Sequence, residues 1–315
     1  METQDKFSAS NTAEHAQSSS KSKSFLEPDE SFYVGVDSRK NWFPEELSPW
    51  YYLSGYSLLK PEARRRYNQL YAVATNEVFA VFEVDFICRI LKKIAKSNNL
   101  NPVFLESLQR IDLEEEKHAR IFHRLNRAAA PEYYNYKSGG RFFASKADGI
   151  GVTLLNLVSR FPNFFGVWVW IALIFEERSI LYSKFYQNLN DVLIDSKFRE
   201  VHRLHLIEEV NHVKLDEELV GEFYLKLPIW KRYLTRIFLK RILNSFRSPR
   251  RMSKAIAEVL KIEFPDQANE INKCLNELPK LRNNSSFQNL LFGSSAFKRT
   301  RKLLKTCPEL SDLVE

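Results

Sequence analysis

Two of the six histidines have a glutamate three residues ahead of them, in Glu115-Glu116-Lys117-His118 and Glu209-Val210-Asn211-His212. Glu and His at i and i+3 share one face of an α-helix, so each pair can present a carboxylate and an imidazole to a single point. Their surroundings repeat. Glu83 precedes Glu115 by 32 residues, Glu177 precedes Glu209 by 32, and one shift of 94 maps positions 83, 115 and 118 onto 177, 209 and 212. Both lone glutamates sit in apolar runs, Glu83 in VFAVFEVDFICRI and Glu177 beside Leu173, Ile174, Ile180 and Leu181. A carboxylate in an apolar stripe is destabilising unless it is paired or metal-bound. Four carboxylates carry about −4, which two divalent cations neutralise while neutral imidazoles complete their coordination. The pattern predicts a dinuclear metal site.

Each position has a neighbour that competes for its role. Glu77 also lies among apolar residues, but its spacing of 38 to Glu115 breaks the repeat. Glu176 can stand in for Glu177, on a face that Ser179 makes slightly more polar. His202, His205, Glu209, His212 and Asp216 alternate at spacings of three and four and form one stripe toward the bundle axis. His205 fits a third imidazole ligand and a core histidine equally well, and His202, a turn further off, reads as outer support. Glu114 and Glu208 directly precede the ExxH glutamates. Each reads either as a partner for the far nitrogen of a ligand histidine from the opposite hairpin or as surface. His15 and His123 lack this context and read as solvated.

To bring these residues to one height the chain needs antiparallel helices. Pro61 opens a helical pattern that stops at Ser97-Asn98-Asn99-Leu100-Asn101-Pro102. Further patterns run over about 102–130, 164–189 and 197–226, the last ending before Pro228. Glu83 and Glu115 are nearly symmetric about the Asn98–Asn99 turn, and Glu177 and Glu209 about a turn near Val192–Leu193. Two hairpins with a long connection form a four-helix bundle with one crossover, and Glu, Glu and two ExxH pairs are the donor set of ferritin-like di-iron bundles. The expected fold class is all-α, a ferritin-like four-helix bundle with extra helices. The expected divisions are a disordered tail over 1–30, the bundle with an aromatic-rich N-terminal extension over 31–225, and a basic helical region over 226–315 packed on the bundle.

Composition agrees. Of 315 residues, 44% are hydrophobic, enough for a real core, while nine glycines and twelve prolines favour long helices over a loop-rich β fold. The three cysteines, Cys88, Cys274 and Cys307, lie far apart without a CxxC, so neither a disulfide framework nor a thiolate zinc site is supported. With no apolar leader near the N-terminus, a reduced cytoplasmic setting is expected. Lys226 to Ala257 hold ten basic residues and no acidic ones, leaving 37 basic against 39 acidic elsewhere, so the whole +8 excess resides there. Within it Trp230, Tyr233, Leu234, Ile237 and Phe238 recur at helical spacing with basic residues beside them. A docking helix pair and a solvated face are both consistent with this. If it docks, an acidic carrier protein is the first expected partner and an anionic membrane the second. No nucleic-acid motif accompanies it, so nucleic acid is not expected.

The segments YNQLYAVATNEVFAVFE, LEEEKHARIFHRLNRAA, FEERSILY and HRLHLIEEVNHVKLDEEL, spread over Tyr67 to Leu219, resemble the p-aminobenzoate (arylamine) N-oxygenase family of di-iron oxygenases. The specific element is His-x-x-x-Glu-x-x-His, here His205-Glu209-His212. The resemblance implies that His205 is a seventh ligand beside Glu83, Glu115, His118, Glu177, Glu209 and His212. It also implies two iron ions, O2 as co-substrate and an external electron donor. A departure is that Glu114 and Glu208 stand where ferritin-like sites often have Asp. The implied activity is oxygenation of an amine, or of a C–H group, on a small-molecule or carrier-bound biosynthetic intermediate, in a chain for which a homodimer is a compatible assembly. Phe79, Phe82, Phe86, Phe122, Phe165, Trp168 and Phe175 are the aromatic residues expected beside the ligands. The competing expectation is a ferroxidase or peroxidase of ferritin or rubrerythrin type that uses the same ligands without an organic substrate.

Overall fold

The structure, a computed structural model, describes residues 24–97, 100–134, 141–143, 165–190, 192–293 and 296–314. The Asn98–Asn99 turn, most of the long crossover and residues 1–23 of the expected tail lie outside them. After three 3-10 turns and the short helix α1 (Ser54–Leu58), α2 (Pro61–Phe82) begins with Pro at its first turn, where a missing N–H does no harm. It continues through a π-helical turn (Glu83–Cys88) into α3 (Arg89–Ser97). The second arm of this hairpin is α4 (Pro102–Ala129), capped by the Asn101 side chain on Val103 N–H. The second hairpin is α5 (Phe165–Asn188) and α6 (Ser196–Phe223). Asp195 caps α6 by accepting from Lys197 and Phe198 N–H. The helices thus start and stop within a few residues of their expected limits; the π turn was not expected.

The aromatic segment before α1 ties the two hairpins together at one end. Asn68 of α2 accepts from Trp42 and Phe43 N–H and donates back to Phe43 C=O, while Tyr186 of α5 donates to Trp42 C=O at 2.7 Å. Trp42 stacks on Phe198 of α6, and Asn41 pairs with Ile194 in an isolated parallel β-bridge, the only β pairing among the described residues. These buried backbone groups would otherwise lack partners.

The C-terminal region folds back over the bundle as α7 (Ile229–Phe246), α8 (Arg250–Glu263), α9 (Ala268–Glu277), α10 (Ser285–Phe292) and α11 (Lys298–Thr306). α7 lies on α5 and α8 on α2. Glu277 of α9 accepts from Ser54 Oγ and Gly55 N–H at the start of α1, and Gln267 accepts from Lys60 N–H at the start of α2. α1 approaches α9 so closely that a Cβ on Gly55 would come within 2.8 Å of Cys274 Sγ. At the other end of the chain, Ser24–Glu30 were expected to belong to the tail. They instead lie against α4, with Phe25 buried and Glu27 bridging Arg120 and Arg124.

Candidate metal centre

The ExxH pairs of α4 and α6 face each other across the bundle axis. Two groups of four buried side chains result, Glu83, His118, His205 and Glu209, and Glu115, His118, Glu209 and His212, each with ligand atoms within 4.8 Å of one another. Each group mixes hairpins, and His118 and Glu209 belong to both. Glu209 Oε1 is the pivot, 2.8 Å from His205 Nε2, 3.2 Å from His118 Nδ1 and 3.5 Å from His212 Nδ1. Glu83, the first residue of the π turn, faces His205 Nε2 at 3.2 Å. π turns recur at functional sites because they displace the backbone without ending the helix.

The outward nitrogens are held across the hairpins. Glu208 Oε2 lies 2.8 Å from His118 Nε2, and Glu114 Oε2 lies 2.9 Å from His212 Nε2. Acceptors there turn both Nδ1 atoms inward as donors to the centre. Glu208 is itself anchored by Lys117 Nζ, Ser24 Oγ and Phe25 N–H. Burial pushes its carboxyl up, but these hydrogen bonds, led by the one from His118, outweigh it and bring it to about 2. The Phe25 ring lies parallel to His118 with centroids 6.1 Å apart, closing the centre on that side.

The cluster's electrostatics suit cations. Burial raises the Glu83 carboxyl well above the usual range, and Glu115 adds to it. Burial also raises Glu115, yet His212 and His118 outweigh it and hold it at about 2. His118 and His212 are drawn well above the usual imidazole range because surrounding carboxylates overcome the effect of burial, whereas burial and the neighbouring imidazoles push His205 well below it. Both oxygens of Glu115, one each of Glu83 and Glu209, and Nδ1 of His118 and His212 are buried without a hydrogen-bond partner among the described residues. Such groups are tolerated where a metal satisfies them.

Not every expected residue arrives. Glu177 faces away from the cluster, and its carboxylate accepts from Arg299 and Thr300 N–H, capping α11. The reason is one residue of helical phase. Ser179 donates to Glu209 Oε2 at 3.1 Å, so the stripe of α5 toward the centre runs through Ser179 and, one turn earlier, the buried Glu176. Glu77 is also elsewhere, held by Tyr134 Oη–H and Phe143 N–H. His202 is buried against Tyr186, bonds Asn76 and is brought to about 3 by burial. Asp216 is buried near His212, its Oδ2 without a hydrogen-bond partner among the described residues. His123, expected in solvent, is half-buried, and His15 lies outside the described residues. Phe79 and Phe122 lie within about 6 Å of His205, ring to ring; beside the π turn Phe82 stacks on both Phe86 and Phe175, and Trp168 meets Phe86 edge-on. The side chain of Phe165 is outside the described residues. Lys117, Ser24, Phe25 and Ser179 were missed. Phe25-Leu26, the first apolar pair after the Ser-rich tail, was the available signal.

Overlapping groups of buried glutamate and histidine inside an α-helical bundle are the donor set of a dinuclear carboxylate–histidine metalloprotein. Residues 8–303 match the AurF p-aminobenzoate N-oxygenase family, and the chain belongs to that family. The match extends on both sides of the 67–219 stretch that carries the sequence resemblance. The protein is therefore a ferritin-like, non-haem di-iron oxygenase, an oxidoreductase that uses two irons and O2. No curated protein matches the chain. Among the described residues no helix is long and apolar enough to cross a membrane.

Proposed function

We propose that the chain N-oxygenates an amine carried by an apolar or aryl biosynthetic intermediate, free or tethered to a carrier protein. Its ligands are Glu83, Glu115, His118, Glu176, His205, Glu209 and His212. The observation that carries the reading is the meeting of three imidazole nitrogens at Glu209 Oε1, with His205 beside Glu83. Glu176 takes the place expected for Glu177 because it shares the face of Ser179 and keeps the carboxylate count at four. The two irons, when bound, supply the reduction of O2 and transfer of one oxygen atom. Hydroxylation of an amine consumes one O2, two electrons and two protons, and releases water, so an external donor supplies the electrons.

The chain's own residues shape that chemistry. Glu208 and Glu114 fix the tautomers of His118 and His212, and Phe25, Phe79 and Phe122 exclude water around the imidazoles. The aromatic cluster of Phe175, Phe82, Phe86 and Trp168 supplies an apolar wall for an aryl ring next to Glu83. The test is single turnover of the iron-loaded, reduced chain with p-aminobenzoate and other aryl amines under isotopically labelled O2, read by mass spectrometry. Label in the hydroxylamine or nitro product is expected. His205→Ala should keep most of its iron, since six ligands remain, yet lose amine oxidation. If wild type and His205→Ala both only accumulate ferric iron and leave every amine unchanged, the ferroxidase reading wins.

A further inference from the structure

We propose that α7 is an interfacial helix that lays this protein on an anionic lipid surface. Ile229, Trp230, Tyr233 and Ile237 are 59%, 59%, 54% and 50% exposed, while Thr235, Leu239 and Leu243 on the opposite side are buried against the bundle. Ile229, Trp230, Tyr233, Ile237, Lys240 and Arg241, all exposed, occupy one arc of about 120° at the α-helical 100° per residue. The helix has already satisfied its inward face, so packing within the chain does not explain four large apolar groups side by side in water.

Charge selects the partner. The stretch 226–257 has ten basic residues and no acidic one. Some are occupied: Lys226 pairs with Glu222, Arg236 with Asp312, and Arg232 with backbone carbonyls and Glu309. Lys240, Arg241, Arg250, Arg251 and Lys254 are exposed and have no salt-bridge partner among the described residues. Trp and Tyr favour the headgroup boundary, aliphatic side chains enter the acyl edge, and long cationic side chains reach back to anionic headgroups. A convex helix with aromatics at its crest and cations around them fits a plane of lipid better than a folded acidic protein, which would need a matching concavity.

The structure also supplies the reporter. Of the five tryptophans, Trp42, Trp50, Trp168 and Trp170 are at most 2% exposed, so a change in emission on docking belongs to Trp230. The full chain should co-sediment with vesicles of mixed phosphatidylcholine and phosphatidylglycerol, with a blue shift of Trp emission. Binding to phosphatidylcholine alone, or at high salt, should be weaker by about tenfold or more. A Tyr233→Ser, Ile237→Ser double variant and a Lys240→Glu, Arg241→Glu double variant should each lose about tenfold or more in vesicle affinity with unchanged thermal melting, since these side chains are exposed. Absence of binding to the mixed vesicles, or binding that both variants retain in full, would overturn the proposal. So would capture by an immobilised acidic polypeptide without capture by vesicles, which would identify a protein partner instead.

Discussion

Glu209 and His118 each belong to both groups of donors, but they do not serve them alike. The carboxylate of Glu209 can serve both positions, so Glu209→Ala should bring iron per chain toward zero, whereas His118, with Nε2 held by Glu208, offers a single inward nitrogen and His118→Ala removes one donor. Glu115→Ala or His205→Ala touches one group and should leave a larger fraction. Glu177→Ala should leave iron near the wild-type level and lower stability by about 1 kcal/mol, the usual worth of a helix cap. Metal analysis beside thermal melting separates these outcomes, and loss of both irons in Glu177→Ala would restore the sequence-based assignment. At this scale the donors on α4 and α6 were legible because ExxH fixes two side chains on one face. The choice between Glu176 and Glu177 was not. Both sit in the same apolar run, and only the packing of α11 on α5 decides which one turns inward. The cross-hairpin hydrogen bonds of Glu114 and Glu208 were one of two readings, since their partners lie 98 and 90 residues away in sequence.

The helix limits were readable because Pro61, Asn101-Pro102, Asp195 and Pro228 are chemical punctuation for starts and stops. The π turn had no such mark. Its widened coil is a matter of one surplus residue, and EVDFIC fits an ordinary α-helix equally well by composition. That surplus makes a prediction possible. Deleting Val84, a partly exposed residue inside the turn, should let α2 and α3 join as one α-helix while α3 keeps its present orientation. The deletion is expected to melt at or above the wild-type temperature and to lose iron, because Glu83 no longer leans toward His205. Circular dichroism melting and metal analysis check it. A deletion variant that keeps both irons would show that the π turn does not aim Glu83.

Taken whole, the molecule is bound together from its ends. Ser24 and Phe25 reach the partner of His118, while Thr300 and Arg299 hold Glu177, so the bundle is gripped from both termini of the described chain. The composition change at Lys226 marked a C-terminal region expected to pack on the bundle, and its side chains also complete helices of the first third. A chain ending at residue 225 should therefore lose its sharp calorimetric transition, and an unchanged transition would show that the bundle stands alone. The caps also bear on how the protein is made. Translation delivers the N-terminus first, so α1 and α2 emerge with bare leading N–H groups. Glu277 and Gln267, which accept from Gly55 and Lys60, come 222 and 207 residues later. The leading N–H groups of α1 and α2, the helix that runs into Glu83, thus find these partners only after the chain has been made as far as Gln267 and Glu277.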